Sequence, residues 1–265
     1  AREIGDRQGE GNTLGNLGIA YNSLGQYERA IEFHQHSLTI AREIGDRAGE
    51  GRALCGLGNA YTNLGQYERA IDLYQQYLAI AQEIGNRQGE SAALGNLGIA
   101  YTSLGQYERV INFHQQALII SREIGDRQGE GQDLGNLGTT YESLGDYDQA
   151  VNYANQHLTV AREIGDRRGE GAGLRELGVA LLKQELTTKA LENLQAALNI
   201  FQEVKSRNDE AEALKNLAEL HQALGAVAVA QQYCEQALAL ATELGIPLKT
   251  ECEALLSDLG KSNDC

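Results

Sequence analysis

The sequence predicts an all-α protein built as a solenoid of six helical hairpins followed by a C-terminal capping helix. Three observations lead to this prediction. One sequence unit recurs with a fixed period of 40 residues. Each unit holds two segments in which apolar residues recur at helical spacing. Glycine recurs between the two segments and again between units, at positions that suit helix ends. Each hairpin is therefore expected to pack only on its neighbours.

One leucine marks the copies, which align without a gap at Leu14, Leu54, Leu94, Leu134, Leu174 and Leu214. The predicted repeats, copies one to six, span 11–50, 51–90, 91–130, 131–170, 171–210 and 211–250. Pro247 suits the first turn of a helix, so the capping helix is expected over 247–260. The chain opens on AREIG, which matches the end of a second helix, so we expect it to be a fragment of a longer protein.

Copy three shows how each hairpin is predicted. Leu94, Leu97 and Tyr101 share one face of the first helix, which we call helix A. A break at 104–106 separates it from helix B, which is predicted to end at Ile124 before a left-handed glycine. Aspartate then follows as the N-cap of the next helix A. The DRQGE segment is interpreted as a short turn between hairpins.

The last two copies depart from this pattern. Copy five has Leu181 in place of the tyrosine and Glu185 in place of the hairpin glycine. Copy six has Ala218 and His221 at the glycine and tyrosine positions. The capping helix is expected to bury Cys252 with its leucines, because a solenoid must cover its last exposed surface.

The spacing Leu-x-x-Leu-Gly-x-x-Tyr, with alanine nine residues on, resembles the tetratricopeptide repeat (TPR) family. In copy one the matching residues are Leu14, Leu17, Gly18, Tyr21 and Ala30. The repeat has a longer period than is usual in this family and lacks the closing proline. In this longer form it resembles the repeats of Pins/LGN adaptors, kinesin light chain and bacterial, cyanobacterial-type arrays. The resemblance implies a right-handed superhelix whose concave groove binds a protein or an extended peptide, without a cofactor.

Composition narrows the partners. The formal charge of -15 argues against nucleic acid and against an anionic membrane surface. No apolar run approaches the roughly 18 residues of a membrane span. The four cysteines form no metal-ligand pattern, and unpaired thiols fit a reducing compartment, so a cytoplasmic location is expected.

Catalytic chemistry is not predicted. His34 and His114 occupy the helix B position where copy two has Tyr74, so both are interpreted as packing residues. The recurrent Ile-Gly-Asp-Arg motif is interpreted as a helix cap with a surface ion pair. We therefore predict no catalytic residue, no metal site and no cofactor.

The predicted groove surface is largely uncharged. Asparagine recurs in one position of helix A, where its amide could hydrogen-bond the main chain of an extended peptide. The alternative is that each asparagine bridges to a neighbouring helix and binds nothing. Arg175 and Lys215 form the candidate pair for a carboxylate clamp, beside glutamates that would offset them. The candidate groove residues are Asn16, Ile19, Arg52, Asn59, Asn63, Asn96, Ile99, Asn136, Arg175, Lys215 and Asn216.

The functional prediction is a non-catalytic protein-interaction scaffold. The alternative is a sensor module that controls an adjoining effector domain in a bacterial signalling protein. We expect the chain to be a monomer. The outer face of the first hairpin is uncovered, so end-to-end association through that face is the alternative. Fraying is expected near residues 1–10 and over the last four residues.

Overall fold

The computed structural model describes residues 6–261 of the chain. Throughout those residues the regular elements are helices, in successive hairpin pairs, and no strand is present. This confirms the predicted all-α hairpin architecture. The chain divides into two compact units, of which unit 1 ends at Gly129 and unit 2 begins at Glu130.

Unit 1 contains three hairpins, in which each helix packs on the next. Its helices are α1 (Arg7–Ser23), α2 (Tyr27–Ile44), α3 (Arg47–Asn63), α4 (Tyr67–Glu83), α5 (Arg87–Ser103) and α6 (Tyr107–Ile124). Helices α1 and α3, the first helices of two neighbouring hairpins, also touch.

Helix α7 starts at Arg127 and lies mostly in unit 2. The helices of unit 2 are α7 (Arg127–Ser143), α8 (Tyr147–Ile164), α9 (Arg167–Lys183), α10 (Thr187–Glu203), α11 (Arg207–Ala223), α12 (Val227–Leu244) and α13 (Leu248–Lys261). The last helix packs on α12 and α11, as expected for a capping helix.

The aspartate predicted as the N-cap of helix A is confirmed, including Asp126, which accepts from the Gly129 amide at 2.9 Å. The Asp46 carboxylate accepts a hydrogen bond from the Gly49 amide at 2.8 Å, and Asn86 does the same for Gly89 at 3.0 Å. Such a cap satisfies an N–H group that otherwise has no partner, so the helix starts at the arginine directly after it. The interpretation of DRQGE as a turn is therefore wrong, because Arg-Gln-Gly-Glu forms the first helical turn.

The predicted surface ion pairs are present beside these caps. Arg47 bonds to Glu50 in its own helix and to Glu83 at the end of the next helix B. Arg42 also reaches Glu50, at 2.8 Å. The arginine pairs lower the pKa of Glu50 against the opposing effect of its burial. The Ile-Gly-Asp-Arg motif is thus explained by capping and ion pairing.

Most hairpin turns place a glycine in the left-handed region. Gly105, for example, has φ 67°. Unit 2 keeps this conformation without glycine at Glu185 (φ 63°) and at Lys205 (φ 56°). The turn shape is therefore set by the packing of the two helices as well as by the residue that occupies it.

The predicted core leucines are buried. Leu97 and Leu137 are fully buried, and Leu94 and Tyr101 are nearly so. In the first hairpin, by contrast, Leu17 is 40% exposed. The same sequence position is therefore core or surface according to what packs against it.

Aromatic rings in helix B lie against glycines of helix A in unit 1. His34, His114 and Tyr74 are all buried, which confirms their interpretation as packing residues. A Cβ atom placed on Gly58 would lie 2.4 Å from the Tyr74 ring, so only glycine leaves the ring enough room. Part of the abundant glycine therefore serves close packing rather than flexibility.

Unit 2 is held by one continuous apolar cluster that extends from Ala154 to Leu259. Phe201 and Leu194 are fully buried within it. The predicted cap residue Cys252 is also buried, as is Cys234, whose thiol donates to the Cys252 carbonyl at 3.3 Å. Fraying was predicted near residues 1–10 and over 262–265; residues 1–5 and 262–265 lie outside the described part of the chain, and residues 7–10 form the start of α1.

Candidate partner-binding surface

The exposed residues of α1, α3 and α5 form a surface that we call the helix A surface of unit 1. They include the polar residues Asn16 and Asn59 and two apolar residues, Ile19 (59% exposed) and Ile99 (46% exposed). Arg52 supplies a positive charge, but Asp46 lies 3.7 Å from it and Asn12 accepts its hydrogen bond at 3.3 Å. The surface therefore offers amides and exposed apolar groups rather than net charge. Its defining residues are Asn12, Asn16, Ile19, Arg52, Asn59, Asn63, Asn96 and Ile99.

A cleft of about 550 Å³ opens in this surface. Helices α1 and α3 contribute Asn16, Ile19 and Gly56 to its lining, and α2 and α4 contribute His34 and Tyr77. This volume lies within the range typical of ligand pockets.

The histidine, cysteine and tyrosine side chains that line the cleft are neutral at pH 7, and Arg52 is its charged residue. Burial lowers the pKa of His34 and raises that of Cys55 to about 11. Burial also raises the pKa of Tyr77 to about 12. A neutral imidazole, thiol and phenol offer hydrogen bonds without charge.

Several predicted groove amides already have partners inside the protein. Asn59 accepts a hydrogen bond from the Tyr74 hydroxyl at 2.7 Å. Asn63 donates to the Asn22 side chain at 3.1 Å, and Asn96 donates to the Cys55 thiol at 3.6 Å. These contacts correspond to the bridging role that the sequence analysis left open as an alternative.

Asn16 differs from these amides. It is exposed, and its side chain makes no hydrogen bond to another described residue. Its donor and acceptor groups therefore remain available to a partner.

In unit 2, α9 and α11 each carry a cation that pairs with glutamates of the same unit. Arg175 lies 3.0 Å from Glu212, and Lys215 lies 3.2 Å from Glu219 and 2.7 Å from Glu251. Both cations are largely covered. The candidate carboxylate-clamp pair therefore already has internal counter-ions, as the neighbouring glutamates predicted.

Two further features of unit 2 concern buried polar groups. The His157 ring lies 3.0 Å from Glu176, and both side chains are about nine-tenths buried. Burial opposes a charge on His157, but the Glu176 carboxylate prevails and the pKa of His157 is raised. Asn216 donates weakly to Glu219 at 3.5 Å, and Asn136 is half-buried.

Sequence reasoning did not assign the cleft as a site. Its signal was a single departure from the repeat, because Gly56 occupies the position that holds asparagine in four of the other copies. Cys55 likewise replaces the glycine of copies one, three and four. Neither change predicts a cavity unless the neighbouring ring of His34 is also known.

The described residues offer no metal site and no membrane span. Between residues 6 and 261, no group of three or more His, Cys, Asp or Glu side chains could hold a metal ion. In the same part of the chain, none of the helices combines the length and the apolar character needed to cross a bilayer.

Comparison with solved structures finds the same fold. A STAND ATPase with a tetratricopeptide repeat sensor, from Pyrococcus horikoshii, aligns with a TM-score of 0.80 and 19% identity, over 97% of this chain and 39% of that one. Nearly identical TPR-like repeats of a putative kinesin light chain from Podosopora anserina align with a TM-score of 0.63 and 19% identity, over 74% and 96%. A Rap protein complexed with Competence and Sporulation Factor gives 0.68 and 15%, over 97% and 77%.

A search of curated proteins found no match. The family model for the tetratricopeptide repeat, however, matches residues 9–83, 85–163 and 170–243. These segments cover most of the chain and include the hairpins described above. The chain therefore belongs to the tetratricopeptide repeat family.

Proposed function

We propose that this chain is a non-catalytic scaffold that binds an extended segment of another protein along the helix A surface of unit 1. The observation that carries the proposal is the neutral surface of exposed amides and isoleucines around a 550 Å³ cleft. The family supports it in general terms, because tetratricopeptide repeats are mainly interaction modules.

The chemistry of the surface suits a peptide main chain. Asn16 offers a donor and an acceptor that no other described residue uses, and these match a peptide C=O and N–H. Ile19 and Ile99 lie exposed on the same kind of helix and would gain from burial against apolar side chains. Asn59 and Asn96 are held by internal hydrogen bonds, so they would meet a partner with little loss of rotamer entropy.

The test compares two isoleucines of similar exposure. A peptide is first selected from a display library against the chain, and its affinity is measured by calorimetry. Ile99→Asp changes α5 of the helix A surface, whereas Ile119→Asp makes the same change on α6, where Ile119 is 57% exposed. We expect Ile99→Asp to weaken binding by about tenfold or more and Ile119→Asp to leave it unchanged. Equal affinities for the two variants contradict the proposal.

The asparagines provide a finer test. Asn16→Ala together with Asn96→Ala should weaken the same peptide by roughly one to two orders of magnitude, at about 0.5–1.5 kcal/mol for each lost hydrogen bond. A purely bridging role makes the opposite forecast, namely a lower melting temperature with unchanged affinity. Binding should also depend weakly on salt, because the surface is largely uncharged.

A second candidate is a sensor module in a longer protein. The observation that favours it is the likeness to the sensor-containing STAND ATPase, of which this chain spans well under half. In that case the same surface would bind the signal, and binding would alter an adjoining domain. The test is to measure the activity of any adjoining domain in the full-length protein with and without the selected peptide; no change in that activity contradicts the sensor role.

A further inference from the structure

Two of the cysteines meet near the end of unit 2. Cys234 belongs to α12 and Cys252 to α13, and both side chains are fully buried. The Cys234 thiol donates to the Cys252 carbonyl oxygen at 3.3 Å, and each thiol alters the pKa of the other. The pair therefore lies at the contact between α12 and the capping helix.

This pair is not a feature of the repeat. The helix B position of Cys234 holds histidine, tyrosine, alanine or leucine in the other copies, at His34, Tyr74, His114, Ala154 and Leu194. Cys252 lies on the capping helix, which follows the six copies. The other cysteines are Cys55, on α3 of unit 1, and Cys265, outside the described residues. The cysteine contact is therefore a local property of the capped end.

The approach of the two residues suits a disulfide. In a disulfide the two Cα atoms lie about 4.4–6.8 Å apart, and the side chains point toward each other. The Cys234 sulfur is 3.3 Å from the backbone of Cys252, across two helices that are packed together. An S–S bond would therefore require rotation of the two side chains rather than a new position for either helix.

Burial protects the reduced pair. It raises the pKa of Cys234 to about 12 and also raises the pKa of Cys252. Because the thiolate is the form that attacks a disulfide, the reactive form is scarce while α13 is in place. Both side chains are also covered, so a soluble oxidant does not reach them. Oxidation therefore depends on an opening of the structure.

Helix α13 provides this opening because it is the last helix of the described chain. It packs on α12 and α11. Leu259 is fully buried in this contact, whereas Leu255 and Leu256 are only partly buried. Elements at the end of a structure with few buried contacts open at a lower free energy than the core. Opening of α13 would uncover Cys252 together with its helix, and Cys234 beneath it.

We propose that Cys234 and Cys252 form a disulfide under oxidising conditions, and that this bond fixes the capping helix α13 on α12. In the reduced protein α13 opens and closes, whereas the disulfide holds it closed. The redox state of the surroundings thus controls access to the apolar surface of α11 and α12 that α13 covers. This inference is independent of the partner-binding surface in unit 1.

The oxidant is a small-molecule disulfide, for which glutathione disulfide serves as the probe. While α13 is open, one cysteine thiolate attacks the probe, forms a mixed disulfide and releases one glutathione. The second cysteine then attacks the protein sulfur of the mixed disulfide, so the protein S–S bond forms and the second glutathione leaves. The protons of the two cysteine thiols end on the two released glutathione molecules, and two electrons pass to the probe.

The first measurement identifies the product in the full chain. Cys55→Ala and Cys265→Ala leave Cys234 and Cys252 as the reactive pair. This chain is incubated with glutathione disulfide at about pH 8.5, near the pKa of a free thiol, and the remaining thiols are then alkylated in denaturant. Mass spectrometry should find a cross-link between the two cysteine peptides with little glutathione adduct, and dithiothreitol should reverse it.

The second measurement tests the closure of α13. A bond that closes a loop of this length should slow hydrogen exchange of the α13 amides by about a hundredfold, while α1 to α6 stay unchanged.

A matched pair of lysine variants tests the route. Lys215→Met removes the ion pair from α11 to Glu251 of α13 and should speed cross-linking about two- to fivefold, because α13 opens more often. Lys249→Met removes an exposed cation whose partner Glu253 lies on the same helix, and should leave the rate unchanged.

Four results overturn the proposal. The first is that glutathione adducts or free thiols are the only products after long incubation. The second is a cross-link that forms only when the chain is unfolded in denaturant. The third is a cross-linked chain in which α13 exchanges as fast as it does in the reduced chain. The fourth is an unchanged or slower reaction of Lys215→Met, which would contradict opening of α13 as the route to the buried pair.

Discussion

In unit 1, α5 and α6 meet through two serines, whereas unit 2 fills the corresponding contact between α9 and α10 with a phenylalanine. The Ser91 and Ser121 hydroxyls lie 2.9 Å apart in a buried pair. In unit 2, Phe201 is fully buried at the position of Ser121, and a Cβ atom on Gly171 would lie 2.7 Å from its ring. The comparison teaches that a large ring fits at this contact because the facing residue is glycine, whose missing Cβ atom leaves room for it.

The helix A surfaces of the two units also differ, in the size and charge of the residues at one position. Unit 1 has Gly15, Cys55 and Gly95 at one position of helix A, where unit 2 has Gly135 followed by Arg175 and Lys215. The small residues leave a neutral surface with a cleft, whereas the two cations of unit 2 are matched by internal glutamates. Unit 2 therefore gains contacts within itself, and unit 1 keeps groups available for a partner.

The largest expected effect is at the phenylalanine. Phe201→Ala should lower the local free energy of unfolding in unit 2 by about 3–5 kcal/mol, because it removes a fully buried ring and leaves a cavity. The matched change Ser121→Ala in unit 1 should cost about 0.5–1.5 kcal/mol, since it loses a hydrogen bond and little volume. Native-state hydrogen exchange reports these values helix by helix. Similar costs for the two variants would contradict the proposed difference in core chemistry.

The next effect concerns the glycines under the helix B side chains. Gly58→Ala should destabilise unit 1 by about 1–3 kcal/mol, because the new methyl group would lie 2.4 Å from the hydrogen-bonded Tyr74 ring. Gly138→Ala in unit 2 has its nearest atom 3.6 Å away, on Ala154, and should stabilise by up to about 1 kcal/mol through helix propensity. The comparison predicts opposite signs, and urea midpoints of the two variants provide the measurement. A loss of stability in both variants would contradict the prediction, because it would mean that the space beside Gly138 does not accept a methyl group.

A smaller effect is expected from the paired cations of unit 2. Lys215→Met removes the partner of Glu219 and Glu251 and should loosen α13, at a cost of about 0.5–1 kcal/mol for a partly exposed pair. Hydrogen exchange in α13 should rise, and added salt should reduce the difference from the unchanged chain. Unaltered exchange in α13 would mean that apolar packing alone holds this helix.

The smallest and most selective difference is in pH dependence. The pKa of His157 is raised above 6.5 by Glu176 despite its burial. Its contribution to the free energy of unfolding is therefore fully present below pH 6.5 and is lost as the pH rises through the folded-state pKa. The pKa of His34 is lowered by burial. Its contribution to the free energy of unfolding is therefore present above pH 6.5 and is lost as the pH falls through the folded-state pKa. Lowering the pH from 7 should therefore favour α8 and disfavour α2.

Hydrogen exchange corrected for intrinsic rates would measure both trends. His157→Gln should remove the trend in α8, and His34→Tyr should remove the trend in α2. Parallel trends in the two helices would contradict the assignment of opposite shifts.

The sequence alone determined the hairpin architecture, because the apolar spacing and the capping residues act locally. Leu97 and Leu137 could be placed in the core from periodicity, and Gly125 could be placed at a helix end from its need for a positive φ. The family resemblance rested on the same residues. The aspartate N-cap of helix A was predicted correctly, but the residues directly after it were assigned to a turn, since a turn and a first helical turn differ by hydrogen bonds that residue types alone do not reveal.

Only the tertiary structure decided which side chains are available to bind a partner. Asn16 and Asn96 occupy the same position in the repeat, yet Asn16 makes no hydrogen bond to another described residue, whereas Asn96 donates to the Cys55 thiol. Likewise, the His34 ring of α2 packs directly against Gly56 of α3, a contact that the repeat pattern does not show. Helical periodicity specifies which face a residue occupies, whereas its partners and cavities depend on volumes that the chain brings together from separate helices.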